Sequence, residues 1–376
     1  MIHCDAIILG AGIVGAACAM ELAQAGMRVT VVEPGVIGGG ATAAAMGHIV
    51  VMDDSPAQFA LTQYSQQLWQ ALAPQLPAAA EYEATGTIWV AAGSEEMQEV
   101  ARKQVLYSTH GLPIRVLDAS ELQHEEPNLR PGLAGGLLVS SDAALYPPAA
   151  ANYLLQHALQ SGATLIPHAA THAAEGKVQL DSSETLTAPR IINALGASAA
   201  SVTPGLPIRP RKGHLVITDR APGFARHQLV ELGYIRSAGS TTADSVAFNV
   251  QPRKTGQLLI GSSRQYNATS NSIDYEILQR MLQQAHAYMP ALDRLSAIRT
   301  WTGFRAATPD KLPLIGPHSA DPTIYLATGH EGLGITTALA TGKLLRAFLT
   351  GTQPEISIEP YLPARSFTPH QENAHA

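Results

Sequence analysis

Apolar residues along this chain follow the spacing of a helix in some segments and that of a strand in others. From Ser55 to Leu76 they recur every three or four positions, which predicts an amphipathic helix with a buried face. The same spacing, with capping and proline signals at the ends, predicts four further helices. These lie at Leu117 to Glu126, Ala149 to Ser161, Tyr275 to Tyr288 and Thr336 to Leu349.

Short apolar runs bounded by turn residues predict strands between these helices. In the first half they occur at Asp5 to Leu9, Arg28 to Val32, Thr85 to Ala91 and Leu137 to Ser140. From Pro207 to Ser263 the pattern alternates over several runs separated by turns, which is typical of an antiparallel sheet. The chain is therefore predicted to be a mixed α/β protein.

A glycine-rich turn stands between the first strand and the first helix. Gly10 would make the tight turn, Gly12 would let backbone N–H groups approach a pyrophosphate, and Gly15 would let helix and strand pack closely. The next strand ends on Glu33, 18 residues after Gly15, where a carboxylate can accept ribose hydroxyls. The pattern predicts a dinucleotide site without indicating which dinucleotide.

The segment from Pro34 to Met46 is rich in glycine and alanine. It is either a flexible linker or a second cofactor contact, with Thr42 at the start of another helix and small residues against a flat ring. Gly47 and His48 would then pass beside that ring. A lone histidine such as His48 is more often structural than catalytic.

Composition excludes some classes of function. The 376 residues suffice for two domains, and a net charge of −6 with scattered Lys and Arg gives no footprint for nucleic acid. The two cysteines, Cys4 and Cys18, fall in the first strand and helix and are interpreted as core residues. No run of 18 apolar residues occurs, so no transmembrane segment is expected, and a cytoplasmic protein is the default.

Two later blocks resemble the first turn, because in each a strand leads into a turn that contains glycine. A strand leads into Asn193-Ala194-Leu195-Gly196, where backbone could approach a cofactor. Another strand leads into Gly329-His330-Glu331-Gly332-Leu333-Gly334 and then a helix. A second helix N-terminus suits a flavin, whose reduced ring carries negative charge, so this turn favours FAD over NAD.

These three blocks, with Arg305 to Gly316, resemble the D-amino-acid oxidase family of FAD-dependent oxidoreductases over nearly the whole chain. Within that family, Gly329 to Ile335 and Ile260 to Gln265 look most like the catalytic subunits of D-hydroxyproline dehydrogenase, opine oxidase and hydrogen cyanide synthase. The resemblance implies a Rossmann-like FAD-binding domain built from residues 1–80, 144–212 and 302–365. It implies an α+β substrate domain from residues 81–143 and 213–301, followed by a flexible tail at 366–376.

The resemblance also implies which residues meet the cofactor and the substrate. The expected FAD-binding residues are Gly10, Gly12, Ile13, Val14, Gly15, Glu33, Pro34, Thr42, Ala43, Gly47, His48, Thr171, Ala194, Gly196, Gly303, Gly332, Leu333, Gly334, Ile335 and Thr336. The expected substrate-binding residues are Arg305, Glu331, Arg264 and His48. No metal ligand and no general base are assigned.

Arg305 is expected to hold a substrate carboxylate, since a guanidinium presents two parallel donors and stays charged. The alternative is a surface or interdomain salt bridge. Glycine oxidases carry an arginine where this chain has Gly332, so Glu331 and Arg264 are expected to meet a substrate larger than glycine. FAD should be non-covalent, because no cysteine lies in the C-terminal half.

The resulting expectation is a dehydrogenase that oxidises the C–N bond of an amino or imino acid by hydride transfer to flavin N5. Alternatives are an opine-oxidising subunit of a complex, whose partner subunits carry a second flavin or an iron–sulfur cluster, and a glycine or D-amino-acid oxidase using oxygen. A nicotinamide dehydrogenase or a nucleotide-binding protein without redox chemistry also stays open.

Overall fold

The structure is a computed structural model that describes residues 4–233 and 244–367. Its described helices are α1 (Ile13–Gln24), α2 (Pro56–Leu72), α3 (Ser94–Thr109), α4 (Ala119–Glu125), α5 (Pro147–Gln160), α6 (Ala199–Val202), α7 (Tyr275–Tyr288) and α8 (Gly334–Thr350). Its described strands are β1 (Ala6–Leu9), β2 (Val29–Val32), β3 (His48–Ile49), β4 (Thr87–Ala91), β5 (Ile114–Asp118), β6 (Gly135–Val139), β7 (Ala143–Ala144), β8 (Thr164–Ile166), β9 (Ala170–Ala174), β10 (Lys177–Leu180), β11 (Thr185–Thr187), β12 (Ile191–Asn193), β13 (Arg209–Thr218), β14 (Gln228–Glu231), β15 (Ser245–Pro252), β16 (Leu258–Arg264), β17 (Ala297–Ala307), β18 (Leu314–Pro317) and β19 (Ile324–Thr328).

A six-stranded sheet in the order β18-β19-β12-β1-β2-β8 joins segments from both ends of the chain. All of its neighbouring strands pair in parallel except β18 with β19. Helices α1, α5 and α8 share one hydrophobic core with it, built mainly from alanine, leucine and isoleucine. The alanine-rich α1 lets its neighbours approach closely: a Cβ on Gly342 of α8 would lie 2.9 Å from the carbonyl oxygen of Ala17.

The second large sheet has eight strands, in the order β17-β13-β16-β15-β14-β4-β6-β5. Its pairs are antiparallel apart from β14 with β4. One core packs α7 against this sheet through Met281 and Ala285, and another includes Val100 and Tyr107 of α3. The long pairing of β13 with β17, from Arg209 opposite Ala307 to Thr218 opposite Ala297, brings Arg305 to this sheet's edge.

Mixed α/β architecture with parallel and antiparallel sheets confirms the predicted fold class. The predicted bounds of α7 agree with the structure, and Asp118 caps α4 through a capping box with Glu121. Helix α5 begins at Pro147, two residues before the predicted start, because prolines fit the first turn of a helix. The proposed domain limits 212/213 and 301/302 fall inside β13 and β17, and the division stays a prediction.

The segment after Pro360 is bound to the rest of the chain as far as the structure describes it. Tyr361 is 1% exposed, and its hydroxyl donates a hydrogen bond to the carbonyl oxygen of Ala57 at 2.7 Å. Arg365 binds both carboxylate oxygens of Asp310 at 2.7 and 2.9 Å. These contacts tie the segment to α2 and to the loop before β18, while residues 368–376 of the predicted tail lie outside the described part.

Both cysteines are buried, and burial raises the pKa of the Cys18 thiol to about 12. They are core residues, as predicted. In the described ranges, no three His, Cys, Asp or Glu side chains gather in a way that could hold a metal ion. Across the same ranges, no helix combines the length and the apolar character needed to cross a membrane.

A buried carboxyl group, Asp142, lies directly before β7. Its Oδ1 accepts hydrogen bonds from Gln66 Nε2 at 2.7 Å and from the Val51 N–H at 3.3 Å, while Oδ2 is buried without a partner in the described residues. Burial raises the pKa of Asp142 to about 7, against the lowering effect of the hydrogen bonds from Val51 and Gln66. The folded protein therefore holds this proton over a range where the unfolded chain releases it.

Asp142→Asn should increase stability above neutral pH. As the pH rises from about 4 to about 7, the unfolded chain loses the Asp142 proton first, so the wild type loses stability, at most about 1.4 kcal/mol per unit of pKa difference. The amide removes this loss. Thermal unfolding at pH 5 and pH 8 measures it: the variant's gain over the wild type should be larger at pH 8, where the loss is complete, than at pH 5, where it is only partial. The exposed Asp293→Asn supplies the baseline, and equal Tm differences at both pH values would contradict the assignment.

Candidate active site

The first glycine turn has the geometry that the sequence predicted. Gly10 adopts φ +97° at the end of β1, and a Cβ on Gly15 would lie 2.0 Å from the carbonyl oxygen of Gly10. Helix and strand can therefore meet only if residue 15 has no side chain. A Cβ on Gly12 would meet nothing closer than Thr42 Oγ1 at 3.4 Å. The N-terminus of α1 thus carries both the close packing and the open backbone of a pyrophosphate site.

Glu33 and Thr42 hold this turn in place. The Glu33 carboxylate accepts hydrogen bonds from the N–H groups of Ala11 and Gly35, both at 2.9 Å. Thr42 was expected to begin a second helix, and this is wrong: the segment folds into successive turns. Its Gly38 N–H donates to the Ala11 carbonyl, which lays the segment across the first turn. Thr42 therefore contacts the N-terminus of α1 and does not begin a helix of its own.

Thr42 contacts the N-terminus of α1 directly: the Ile13 N–H donates a hydrogen bond to Thr42 Oγ1 at 3.0 Å. Val14 follows Ile13 in the first turn of α1, and Ala43 follows Thr42 in the covering segment. Pro34 is exposed beside Glu33. The predicted residues of the first two blocks are therefore gathered around one helix N-terminus.

The second glycine turn lies on the same sheet edge. β19 leads into Gly329, at φ +80°, and α8 begins at Gly334, followed by Ile335 and Thr336. The Thr336 hydroxyl donates to the His48 carbonyl at 2.9 Å and accepts from the Val50 N–H at 3.3 Å. A residue of the first block is thus bonded to the N-terminus of α8.

The Asn193 block lies between the two turns. β12 pairs with β1 on one side and with β19 on the other. The Ala194 carbonyl lies 3.1 Å from where a Cβ on Gly10 would be, and the Gly196 carbonyl accepts a hydrogen bond from Thr328 Oγ1 at 3.1 Å. Gly196 adopts φ +56°, which favours glycine. The three predicted blocks therefore meet at one place.

Gly47, His48 and Gly303 line the approach to the second turn. A Cβ on Gly47 would lie 1.9 Å from the Leu145 carbonyl, and one on Gly303 would lie 2.4 Å from the Ala44 Cβ. Backbone segments therefore pack without intervening side chains. The His48 Nε2 is buried and has no hydrogen-bond partner among the described residues. Burial lowers the pKa of His48 to about 3, so its imidazole is neutral at physiological pH.

Thr171 does not join this group. It lies on β9 of a three-stranded sheet, where its exposed side chain donates to the Gln179 carbonyl at 3.1 Å. The gathered residues still fit FAD: two helix N-termini, open backbone at Gly12, and a buried imidazole nitrogen at His48 without a partner among the described residues. The site is therefore suited to bind a dinucleotide that carries a flat ring system.

A cavity opens between the second glycine turn and the large sheet. Gly332 and Leu333 of that turn line it together with apolar Val50, Met52 and Trp89. Six charged or titratable side chains also line it, namely His48, Asp54, Arg211, Arg264, Lys311 and Glu331. Three of the predicted substrate residues, His48, Arg264 and Glu331, are therefore brought together in one cavity.

Arg305 stands directly behind this wall rather than on it. Its Nη1 donates to the Ser263 carbonyl at 2.9 Å, and its Nε lies 3.6 Å from where a Cβ on Gly332 would be. Its guanidinium rests on Gly213, with Nη1 2.6 Å from the position of a Cβ there. Arg305 is half-buried beside the glycine turn, and its role in holding a carboxylate stays a prediction.

Sequence reasoning did not identify two of the cationic side chains at the cavity. Arg211 lies directly opposite Arg305 on β13 and forms a salt bridge with Glu331. Lys311 Nζ lies 3.5 Å from Asp54 Oδ2, on the loop that Arg365 fastens through Asp310. Register between two distant strands placed Arg211 here, and no local pattern reports that. Lys311 stood within the Arg305 to Gly316 block and could have been singled out there.

Glu331 has an unusual backbone. It adopts φ +52°, a left-handed conformation that costs a non-glycine residue on the order of 1 kcal/mol or more. Its N–H donates to the Ala306 carbonyl at 2.9 Å, which anchors the turn to β17 next to Arg305. Such strain persists where the surroundings fix it, and here it aims a carboxylate at the cavity.

Comparison with known proteins places this arrangement. The profile of the FAD dependent oxidoreductase family (DAO) matches residues 5–347. The chain is 27% identical over 413 residues to hydrogen cyanide synthase subunit HcnC of Pseudomonas aeruginosa, with 96% of each chain covered. It is also 27% identical over 377 residues to the glycine oxidase of that organism, covering 95% of this chain and 98% of the relative.

Solved structures show the same fold. Glycine oxidase from Geobacillus kaustophilus superposes with a TM-score of 0.87 at 24% identity, covering 98% of this chain and all of the other. L-proline dehydrogenase from P. horikoshii gives a TM-score of 0.85 at 23% identity, covering 96% and 97%.

Fold and site define a flavin-dependent oxidoreductase. The chain belongs to the DAO family of FAD-dependent oxidoreductases. Its predicted family, cofactor and redox class are thereby confirmed.

Gly15→Ala should abolish FAD binding. Its Cβ would stand 2.0 Å from the Gly10 carbonyl, so α1 must move away from β1 and the pyrophosphate site opens. FAD content after purification, from visible absorbance, and titration of the apoprotein with FAD would measure the loss. Gly93→Ala is the control, since a Cβ there meets nothing within 4 Å. Stoichiometric FAD in the Gly15 variant would contradict the role of this glycine.

Proposed function

We propose that this protein oxidises the C–N bond of a small amino or imino acid of the D-hydroxyproline or D-amino-acid type. The observation that carries the proposal is the position of Arg305, which is half-buried with its Nε 3.6 Å from the Cβ position of Gly332 at the second glycine turn. A guanidinium in that place can bind a carboxylate next to the ring of a flavin. Curated relatives named for glycine oxidation and for hydrogen cyanide synthesis support an amino-acid substrate.

Bound FAD would supply the hydride acceptor, N5 of its ring, and the two glycine turns with His48 would hold it. The protein's own task is to hold the substrate's α-hydrogen toward that ring, with the amine unprotonated. His48 is suited to a neutral role there, because burial keeps its pKa near 3 and so keeps the imidazole uncharged. No described group is required as a general base, since the hydride leaves with the bonding electrons.

The cavity supports a substrate larger than glycine. Gly332 leaves space where glycine oxidases carry an arginine, and Arg264 and Glu331 offer a donor and an acceptor to a substituent. Among the described lining residues, three cations face two carboxylates, which favours an anionic substrate. A ring hydroxyl or a second carboxylate would satisfy these groups. Glycine itself stays an alternative, as does an opine, and oxygen is an alternative acceptor.

Arg305→Lys should raise KM by about tenfold to a hundredfold while FAD stays bound. Lysine keeps the charge but loses the paired donors, and one charged hydrogen bond contributes about 1.5–3 kcal/mol. Steady-state kinetics and flavin absorbance would measure both quantities. Arg299→Lys, on the same strand but exposed, is the matched control. Unchanged kinetics in the Arg305 variant would rule out the carboxylate role.

Anaerobic bleaching of the flavin identifies the substrate for these assays. D-Amino acids, cis- and trans-D-hydroxyproline, glycine and opines would each be mixed with the holoenzyme. The expected result is fast bleaching by a D-imino or D-amino acid and slow bleaching by glycine. If none of them bleaches the flavin, the proposed oxidation of a C–N bond fails.

A second candidate is the same chemistry within an electron-transferring complex. It is favoured by the 27% identity to a chain that is itself named as a subunit. Partner subunits would carry a second flavin or an iron–sulfur cluster and receive the electrons.

The chain purified alone should then turn over with an artificial dye far more slowly than when co-expressed with its partners. Reduction of the flavin by substrate would be equally fast in both preparations, because that step needs only this chain. Stopped-flow reduction and dye-linked turnover separate the two steps. Full dye-linked activity of the isolated chain would count against the complex.

A further inference from the structure

The backbone conformation of residue 213 does not explain why this residue is a glycine. Its φ lies outside the left-handed range, so any residue could adopt its conformation. A Cβ there would stand 2.6 Å from Nη1, 2.8 Å from Nη2 and 2.9 Å from Cζ of Arg305. The guanidinium therefore lies flat on the backbone of Gly213. The Arg305 guanidinium occupies the space that a side chain at position 213 would fill.

The ladder between β13 and β16 is interrupted at the same point. Their backbone pairs are Val216 with Ile260 and Ile217 with Leu259, and a single bridge joins Lys212 to Gln265. Gly213, His214 and Leu215 lie between these two places. At the interruption, the Ser263 carbonyl accepts the hydrogen bond from Arg305 Nη1. The gap in the ladder is therefore where Arg305 meets β16.

His214 bridges this gap with its side chain. Ser263 Oγ accepts from the His214 N–H at 2.9 Å and lies 2.9 Å from His214 Nδ1. The Asp274 N–H donates to His214 Nε2 at 3.0 Å, so Nε2 is an acceptor and Nδ1 carries the proton. The imidazole is completely buried. Its tautomer, and hence the bond to Ser263, is fixed by the start of α7.

Asp274 connects His214 to α7. Its Oδ1 accepts from the N–H groups of Glu276 and Ile277, which caps the helix. Its Oδ2 accepts from Gln265 Nε2 at 2.9 Å. One continuous set of hydrogen bonds thus runs from the N-terminus of α7 through His214 and Ser263 to the guanidinium of Arg305.

We propose that Gly213 and His214 are positioning residues for Arg305: Gly213 is the seat of the guanidinium, and His214 fixes the Ser263 segment that accepts its hydrogen bond. This inference rests on the proposed function, in which Arg305 holds the substrate carboxylate. Neither residue touches the substrate. Their effect is on where the carboxylate is bound, and so on KM and on the affinity for carboxylates.

Gly213→Ala tests the seat. The new Cβ displaces the guanidinium, so KM and the Kd of propionate, a carboxylate with no amine to oxidise, should each rise about tenfold, since one charged hydrogen bond is lost. FAD content and Tm should stay near those of Gly93→Ala, whose Cβ meets nothing. Propionate binding is read from the flavin absorbance of the holoenzyme.

A double-mutant cycle separates positioning from a general disturbance. In the Arg305→Lys background no guanidinium remains for the Cβ to meet, so Gly213→Ala should have no further effect on propionate binding. Equal effects of Gly213→Ala in both backgrounds would overturn the inference. If Arg305→Lys itself leaves propionate binding unchanged, the proposed function of Arg305 fails instead, and the two failures are distinguishable.

His214→Leu and His214→Asn test the bridge. Leucine removes the side-chain donor to Ser263 and leaves only the backbone N–H of residue 214, whereas an asparagine amide can replace Nδ1–H. Propionate Kd should therefore rise in the leucine variant and return toward the wild-type value in the asparagine variant. If leucine prevents folding, the Gly213 cycle decides alone. Equal propionate affinity in folded leucine, asparagine and wild-type proteins would overturn the role of His214.

Discussion

Parallel pairing of β1, β12 and β19 is the constraint on which this active site depends. Parallel strands end at the same edge of a sheet, so the turns that follow them must meet there. Residues from the beginning, middle and end of the chain thereby share one small region. Gly15 packs α1 closely against the end of β1, and Gly342 packs α8 closely against α1, which keeps both helix N-termini at that edge.

The large sheet adds the substrate half of the site to this edge. β17 carries Arg305 past Gly332, and the register with β13 brings Arg211 opposite it. Two like charges on paired strands repel each other. The salt bridge of Arg211 with Glu331 offsets that repulsion and at the same time fastens the second glycine turn to the sheet. Cofactor half and substrate half are therefore coupled through charged groups rather than through packing alone.

Sequence patterns predicted the parts of the site that depend on local chemistry. Gly10, Gly15 and the turn at Gly329 were found because tight turns and close packing require glycine at fixed spacing. Gly213, Arg211 and His214 were not found, because their roles come from contacts with residues about fifty to a hundred positions away in the chain. Thr42 was placed at a helix N-terminus, but the helix is α1, since only the folded chain lays that segment across the first turn.

The two-ended construction of the nucleotide domain has a consequence for biosynthesis. A ribosome delivers β1, α1 and β2 first, yet the sheet neighbours β12 and β19 and the helix α8 follow some 160 to 300 residues later. Until then α1 lacks one of its two covering helices, because α5 is available earlier but α8 is not. Both helix N-termini of the cofactor site therefore exist only once α8 has been synthesised, so we expect the flavin to bind the completed chain.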